Sequence, residues 1–244
     1  MIMKNKLMKS IFVIVIILVL GTGIWVNNTY SPDATALNYT VSAETINIVK
    51  DDFGLSFIPF EKKNTTGIIF YPGAKVELEA YSPLAFELAE KGYMSVIVKM
   101  PLNLAVIDSD RGKEVIDYYK DINRWYIGGH SLGGAMAANF AYEHNELIEG
   151  VFFLGAYPVK DLTDYSLDVL LVNGSLDAII DEKNLKAAEE LIPKNSLNLI
   201  IEGGNHSQFV SYGIQKNDQV AEISFKEQQK KTVEQIIQLV ENVH

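Results

Sequence analysis

From about residue 44 onward, the chain alternates between two patterns of apolar and polar positions. Short apolar runs, several of them apolar at every position, predict strands buried on both faces of a sheet. Segments with helical spacing of apolar residues lie between them. The predicted strands are Thr45–Val49, Leu55–Pro59, Gly67–Tyr71, Met94–Val98, Arg124–Ile127, Gly150–Leu154, Val169–Val172 and Leu197–Ile201. The predicted helices are Leu78–Lys91, Asp110–Lys120, Leu132–His144, Asp181–Leu191 and Phe225–Val243.

This alternation predicts an α/β fold class. Strands and helices at this spacing imply βαβ units and a doubly wound, mainly parallel sheet. The connection at residues 155–167 has only 13 residues, so no large cap domain is expected there. Ligands of open α/β sheets bind beyond the carboxyl ends of the strands. We therefore expect the functional residues in the loops that directly follow strands.

The N-terminus has a different pattern. Lys4, Lys6 and Lys9 precede an uncharged apolar run, Ile11–Val26. A helix of this length covers about 24 Å, slightly less than the ~30 Å hydrocarbon core of a bilayer. A signal anchor is favoured because the run continues past its densest part, Ile11–Leu20, which has the length of a cleaved signal peptide. In both interpretations the lysines stay inside and the rest of the chain is exported.

The sequence thus divides into four segments. Residues 1–9 form a basic cytoplasmic segment, and residues 10–27 form one N-terminal hydrophobic helix that is a signal anchor or a signal peptide. Residues 28–43 are polar and are predicted to be a linker. Residues 44–244 form the folded domain.

Charge and composition exclude several classes of partner. The net charge is −10, and the chain beyond residue 27 has 18 basic and 31 acidic side chains. Nucleic acid is therefore not an expected partner, and membrane contact is expected through the N-terminal helix only. The chain has no cysteine and no cluster of its four histidines, so we expect no metal site. No feature of the sequence indicates an oligomeric state.

One glycine-rich turn has the pattern of a nucleophile elbow. Gly129-x-Ser131-x-Gly133 follows a predicted strand and precedes a predicted helix, which is the context that this motif requires. Side chains at the two glycine positions would collide with the flanking strand and helix. The helix start directs backbone N–H groups at a developing oxyanion. Ser131 is the predicted nucleophile. The alternative is a glycine-rich turn whose serine has no catalytic role.

A serine nucleophile needs a general base. His206 lies in the loop after the strand Leu197–Ile201, at the carboxyl ends of the predicted strands. His130 is expected to be packed, with its side chain directed away from the serine hydroxyl. His144 ends a predicted helix, and His244 is the last residue. His206 is therefore the predicted base.

The base needs an acid that fixes its tautomer. Asp177 follows the strand Val169–Val172 and lies between Ser131 and His206 in sequence. This order is the one found in α/β-hydrolases. Asp181 is the alternative acid, but it precedes a predicted helix and is better explained as its N-cap.

Two backbone N–H groups are needed to bind the oxyanion. Leu132, directly after the nucleophile, supplies one. The loop Pro72-Gly73-Ala74-Lys75 follows a buried strand and supplies the other, which we assign to Ala74, with Lys75 as the alternative. A plain Pro-Gly turn would explain the same residues.

Together these motifs resemble the four signature loops of the α/β-hydrolase superfamily: Tyr71-Pro72-Gly73-Ala74, Gly129-His130-Ser131-Leu132-Gly133-Gly134, Asn173-Gly174-Ser175-Leu176-Asp177 and Gly203-Gly204-Asn205-His206. The chain is similar to the compact dienelactone-hydrolase-like and carboxylesterase-like bacterial members from about Glu44 to His244. The resemblance implies the α/β-hydrolase fold, a Ser131–His206–Asp177 triad and no cofactor. One departure is that Pro72-Gly73 replaces the common His-Gly of the oxyanion loop.

The expected function is that of a serine hydrolase acting on small-molecule carboxylic esters or acyl groups. The alternatives are an acyltransferase or peptidase acting on cell-surface material, and a tethered binding protein without catalysis. With the exported topology, the catalytic domain would lie outside a single-pass membrane anchor, or be secreted after signal cleavage.

Overall fold

The structure is a computed structural model, and residues 29–62 and 65–241 are described. The predicted basic segment at residues 1–9 and the N-terminal hydrophobic helix at residues 10–27 lie outside the described residues. Among the residues that are described, no helix combines the length and the hydrophobicity needed to cross a bilayer.

The described residues form one eight-stranded sheet, whose strands agree with the predicted ones to within three residues at each end. The strands are β1 Ile46–Lys50, β2 Gly54–Pro59, β3 Thr66–Tyr71, β4 Met94–Val98, β5 Arg124–His130, β6 Gly150–Leu154, β7 Asp168–Gly174 and β8 Leu197–Ile201. Their order across the sheet is β1-β2-β4-β3-β5-β6-β7-β8. β2 is antiparallel to β1 and to β4, and the other neighbours are parallel. The predicted mainly parallel sheet is confirmed.

Helices cover both faces of this sheet. They are α1 Ala34–Leu37, α2 Ser82–Glu90, α3 Gly112–Tyr118, α4 Leu132–Glu143, α5 Glu182–Ala188 and α6 Phe225–Val240. The core on one face contains apolar residues of α2 and α6, and the core on the other face contains residues of α3 and α4. Residues 155–167, between β6 and β7, contain neither helix nor strand, as expected for a fold without a large cap.

The predicted helix Leu78–Lys91 is divided in two. Leu78–Tyr81 is a 3-10 turn, and α2 begins only at Ser82. Pro83 explains the division, because proline has no N–H to donate and is tolerated only in the first turn of an α-helix. Gly92, with a φ of 88°, follows the end of α2.

Residues 29–43 differ from the predicted linker, because they pack against the domain. The Tyr30 N–H donates to the Lys75 carbonyl at 2.7 Å, and the Glu77 N–H donates to the Tyr30 carbonyl at 3.1 Å. In the following helix, α1, Ala36 is completely buried. We call Thr29–Asp33 the N-terminal strap.

The strand order places a crevice between two loops. β3 lies between β4 and β5, so successive connections run in opposite directions from this point. The loops after β3 and β5 therefore diverge, which is where open α/β sheets bind ligands. Ala74 follows β3, and Ser131 follows β5.

Candidate active site

Ser131 lies in a strained turn between β5 and α4. Its φ is 54° and its ψ is −124°, a conformation that residues with a side chain rarely adopt and that is often found at functional sites. A Cβ at Gly129 would lie 2.5 Å from the carbonyl carbon of Gly133, and a Cβ at Gly133 would overlap the Tyr71 carbonyl. The predicted steric need for both glycines is confirmed.

Asp177 and His206 form a close pair. The Asp177 Oδ2 atom lies 2.8 Å from His206 Nδ1, and both side chains are almost completely buried. The second oxygen, Oδ1, accepts the backbone N–H groups of Ile179 at 2.9 Å and Ile180 at 3.0 Å. A carboxylate only accepts hydrogen bonds, so Nδ1 donates and the lone pair of the imidazole is left on Nε2.

The alternative acid has another role. Asp181 is the N-cap of α5, where its side chain accepts the backbone N–H groups of Lys183 and Asn184. This is the arrangement expected of a capping aspartate.

His206 lies beside the elbow without bonding to Ser131. Its ring centroid is 4.4 Å from that of His130, the residue before Ser131. Its Nε2 atom is buried and has no hydrogen-bond partner among the described residues. The structure therefore joins His206 to Asp177, while the hydrogen bond from Ser131 Oγ to His206 is not formed.

The loop after β3 leaves one N–H available. The Gly73 N–H donates to the Tyr81 hydroxyl at 2.7 Å, and the Lys75 N–H donates to the Asn103 carbonyl at 2.8 Å. The Ala74 N–H between them donates to none of the described residues. Leu132 begins α4, so its N–H has no acceptor within the helix. This geometry favours Ala74 over Lys75 as the second oxyanion donor.

Comparison with known proteins assigns the chain to a family. The family model described as "Alpha/beta hydrolase family" matches residues 67–230, more than half of the chain. The chain belongs to the alpha/beta hydrolase family. Among curated protein sequences, none matches it significantly.

Several solved structures share the fold of this hydrolase. A CIB-like hydrolase from Thermoplasma acidophilum has 18% identity and a TM-score of 0.57, covering 78% of this chain and 98% of that one. Dienelactone hydrolase from Anabaena variabilis has 17% identity and a TM-score of 0.58, covering 78% and 97%. Est1E from Butyrivibrio proteoclasticus has 16% identity and a TM-score of 0.56, covering 81% and 99%. Membership of the family supports a hydrolase with a small-molecule substrate. The fold alone does not identify that substrate.

Tyr81 and His130 connect the two halves of the hydrolase site. The Tyr81 hydroxyl, which accepts the Gly73 N–H, lies 3.3 Å from His130 Nδ1. His130 is buried and packs against His206, so the expectation of a packed side chain is confirmed. The role of Tyr81 was not predicted, because nothing in the spacing of an apparent helix indicates that its hydroxyl faces a loop.

Gly155 is a second unpredicted residue of the site. Its φ is 48°, and a Cβ there would lie 2.8 Å from His206 Nδ1 and 3.1 Å from Asp177 Oδ2. Any side chain would therefore press on the His206–Asp177 pair. A glycine directly after a buried strand was the available signal.

The surroundings of the hydrolase site contain two cavities. One, of about 340 Å³, lies between Asp33 and Ile214, and one of about 320 Å³ borders Asp177 and Leu185. Ser131 lines neither of these cavities. Its side chain is partly exposed at the carboxyl end of β5. Within residues 29–62 and 65–241, no group of three or more His, Asp and Glu side chains is placed to hold a metal ion.

The state of His130 leads to a prediction about pH. Burial lowers the pKa of His130 well below its usual value, and the neighbouring His206 adds to this effect. Below about pH 6.5 the unfolded chain therefore binds more protons at this position than the folded hydrolase. The stability from neutral His130 is present above that pH and is lost as the pH falls towards the folded-state pKa. We expect the melting temperature of His130→Gln to fall less between pH 7 and pH 5 than that of the wild type, as measured by calorimetry.

His144→Gln is the matched control for this prediction. His144 lies at the end of α4, with Nε2 3.2 Å from Asp110. Its replacement removes a histidine without altering the buried pair of His130 and His206. Equal falls for the wild type and His130→Gln would show that neutral His130 makes no such contribution.

Proposed function

We propose that this protein is a serine hydrolase that cleaves carboxylic esters or small acyl groups. The observation that carries the proposal is the 2.8 Å contact between His206 Nδ1 and Asp177 Oδ2, in loops at the same edge as the strained Ser131. The free Nε2 atom of His206 adds support. A buried polar atom without a partner costs about 1–3 kcal/mol, and such atoms in native structures require an explanation, of which catalysis is one.

The first half-reaction forms an acyl-enzyme. Ser131 Oγ attacks the carbonyl carbon, and His206 Nε2 takes the hydroxyl proton. The hydrogen bond between them forms in this step, since such contacts are often long in free enzymes. The carbonyl electron pair moves onto oxygen, which the N–H groups of Leu132 and Ala74 bind. The carbon–oxygen bond to the leaving alcohol then breaks, and the alcohol takes the proton from His206.

The second half-reaction regenerates the serine. His206 takes a proton from water, and the resulting hydroxide adds to the acyl carbon. The bond between the acyl carbon and Ser131 Oγ then breaks, Oγ takes the proton from His206 Nε2, and the acid leaves. Asp177 stays ionised throughout and stabilises the imidazolium. Acyl transfer would replace water with another alcohol or amine, and peptidase action would replace the leaving alcohol with an amine.

The absence of helix and strand between β6 and β7 supports a preference for short acyl groups. We expect acetyl to butyryl esters to be hydrolysed faster than esters of about twelve carbons, without activation by emulsified substrate, because no lid is available there to open. A series of p-nitrophenyl esters tests this. A sharp rate increase at a lipid–water interface would contradict it, and turnover of peptides but not of esters would favour the peptidase alternative.

We also propose that the catalytic domain lies outside the cell on a single-pass anchor, with secretion after signal cleavage as the alternative. The basis is the three lysines before Ile11–Val26. Protease added to intact cells should shorten the protein to its N-terminal fragment. Protection of the domain until lysis would place it in the cytoplasm, and a mature N-terminus near Thr22 in the medium would favour secretion.

A further inference from the structure

The N-terminal strap is bonded to the oxyanion loop through its backbone. Tyr30 donates to the Lys75 carbonyl and accepts from the Glu77 N–H, which forms a parallel bridge at Val76. Lys75 directly follows Ala74 and has a φ of 62°, a conformation that is unfavourable for a residue with a side chain. The strap therefore bonds to the residue next to the proposed oxyanion donor, where the backbone is strained.

Two strap hydroxyls reinforce this contact. Thr29 Oγ1 and Ser31 Oγ both donate to Glu77 Oε1, at 2.7 and 2.9 Å. Hydrogen bonds to an ionised acceptor are stronger than those between neutral groups. The polar residues that suggested a linker thus hold the strap on the loop.

The other end of the strap is bonded to the loop that carries His206. The Asp33 N–H donates to the Ser211 carbonyl at 2.9 Å, and Ser211 Oγ donates to Asp33 Oδ1 at 2.7 Å. The ring of Tyr30 packs against that of Tyr212, with 5.0 Å between centroids. Tyr212 lies six residues after His206 in the same loop.

We propose that the strap is a positioning segment of the active site, which sets the place of the Ala74 N–H relative to His206. This inference rests on the proposed function. One five-residue segment bonds to both loops, so its loss would let them move independently. Oxyanion donors act mainly on the transition state, and their misplacement lowers kcat more than it raises KM.

The test compares two variants at Tyr30 in the full-length protein. Tyr30→Pro removes the N–H that bonds to Lys75, whereas Tyr30→Ala removes the ring and keeps that N–H. We expect about tenfold lower kcat and slower fluorophosphonate labelling for Tyr30→Pro, at nearly unchanged KM, and a smaller loss for Tyr30→Ala. Hydrogen exchange at residues 72–77 and 207–212 should become faster in Tyr30→Pro.

Ser42→Ala is the matched control. Ser42 Oγ accepts the Ile48 N–H at 2.9 Å, so this variant loses a hydrogen bond of the same N-terminal region at the β1 edge. It should leave kcat, labelling and exchange in both loops unchanged. Ser211→Ala, a milder variant that removes the hydroxyl bond to Asp33, should lower kcat by a smaller factor if Tyr30→Pro does not fold.

The outcomes separate this inference from the proposed function. Unchanged exchange in both loops of Tyr30→Pro overturns the positioning role whatever the activity. If exchange becomes faster in Tyr30→Pro but kcat stays at the wild-type value, the strap contributes only to stability, and the positioning role is again overturned. Absence of labelling in the wild-type protein overturns the proposed function instead, and it is observed before any strap variant is compared.

Discussion

Replacing Ser131 with alanine is expected to abolish fluorophosphonate labelling and to lower kcat by about 10⁴-fold or more. The hydroxyl at the elbow is the only group that the proposed mechanism uses to form the acyl-enzyme. The fold should be retained, because the Ser131 side chain makes no capping hydrogen bond to α4. The measurements are gel fluorescence of the labelled protein and steady-state hydrolysis of a short ester.

Ser175→Ala is the control for this variant. Ser175 also lies in a loop that follows a strand at this edge of the sheet, but its hydroxyl accepts the Gly203 N–H. It should label like the wild type. Equal labelling of the wild type and Ser131→Ala would show that another residue is the nucleophile.

Asp177→Asn is expected to lower kcat by about 10³- to 10⁴-fold. The reason is specific to this site. Because Oδ1 accepts two backbone N–H groups, from Ile179 and Ile180, the amide of asparagine must keep its oxygen there. Its NH₂ group then faces His206 Nδ1, which can only accept, so the proton moves to Nε2 and the base is lost. Steady-state kinetics over a pH series measures the effect.

Asp181→Asn separates the two candidate acids. As the N-cap of α5, this residue can be replaced by asparagine, which caps helices about as well as aspartate. We expect near wild-type kcat with little change in melting temperature. A greater loss of kcat in Asp181→Asn than in Asp177→Asn would mean that the acid has been assigned to the wrong residue.

The parts of the fold that could be predicted from sequence are those governed by local pattern. Several central strands are apolar at most positions because both faces are covered, which makes runs such as Gly67–Tyr71 easy to recognise. The site loops were identifiable because each follows a predicted strand, although β8, which precedes the His206 loop, is only partly buried. Pro83 was a further local signal, but the predicted helix Leu78–Lys91 passed over it, and α2 begins only at Ser82.

The parts that could not be predicted depend on contacts between distant segments. Tyr81 reaches Gly73 only because a 3-10 turn directs its hydroxyl towards that loop, and Gly155 approaches His206 only in the folded sheet. The strap was predicted to be part of a linker because its residues are polar. In the structure, backbone and hydroxyl hydrogen bonds hold it against the domain. Such bonds leave no apolar periodicity in the sequence.

With the proposed membrane anchor, the strap would also restrict how substrates reach the site. The apolar run ends at Val26, three residues before Thr29, and an extended chain spans at most about 3.6 Å per residue, or roughly 11 Å in all. If that run is anchored in a bilayer as proposed, the oxyanion loop faces the lipid headgroups across a gap far narrower than a folded domain. Small esters would diffuse into this gap from the side, or reach it along the membrane surface, whereas intact folded proteins would be kept away from Ser131.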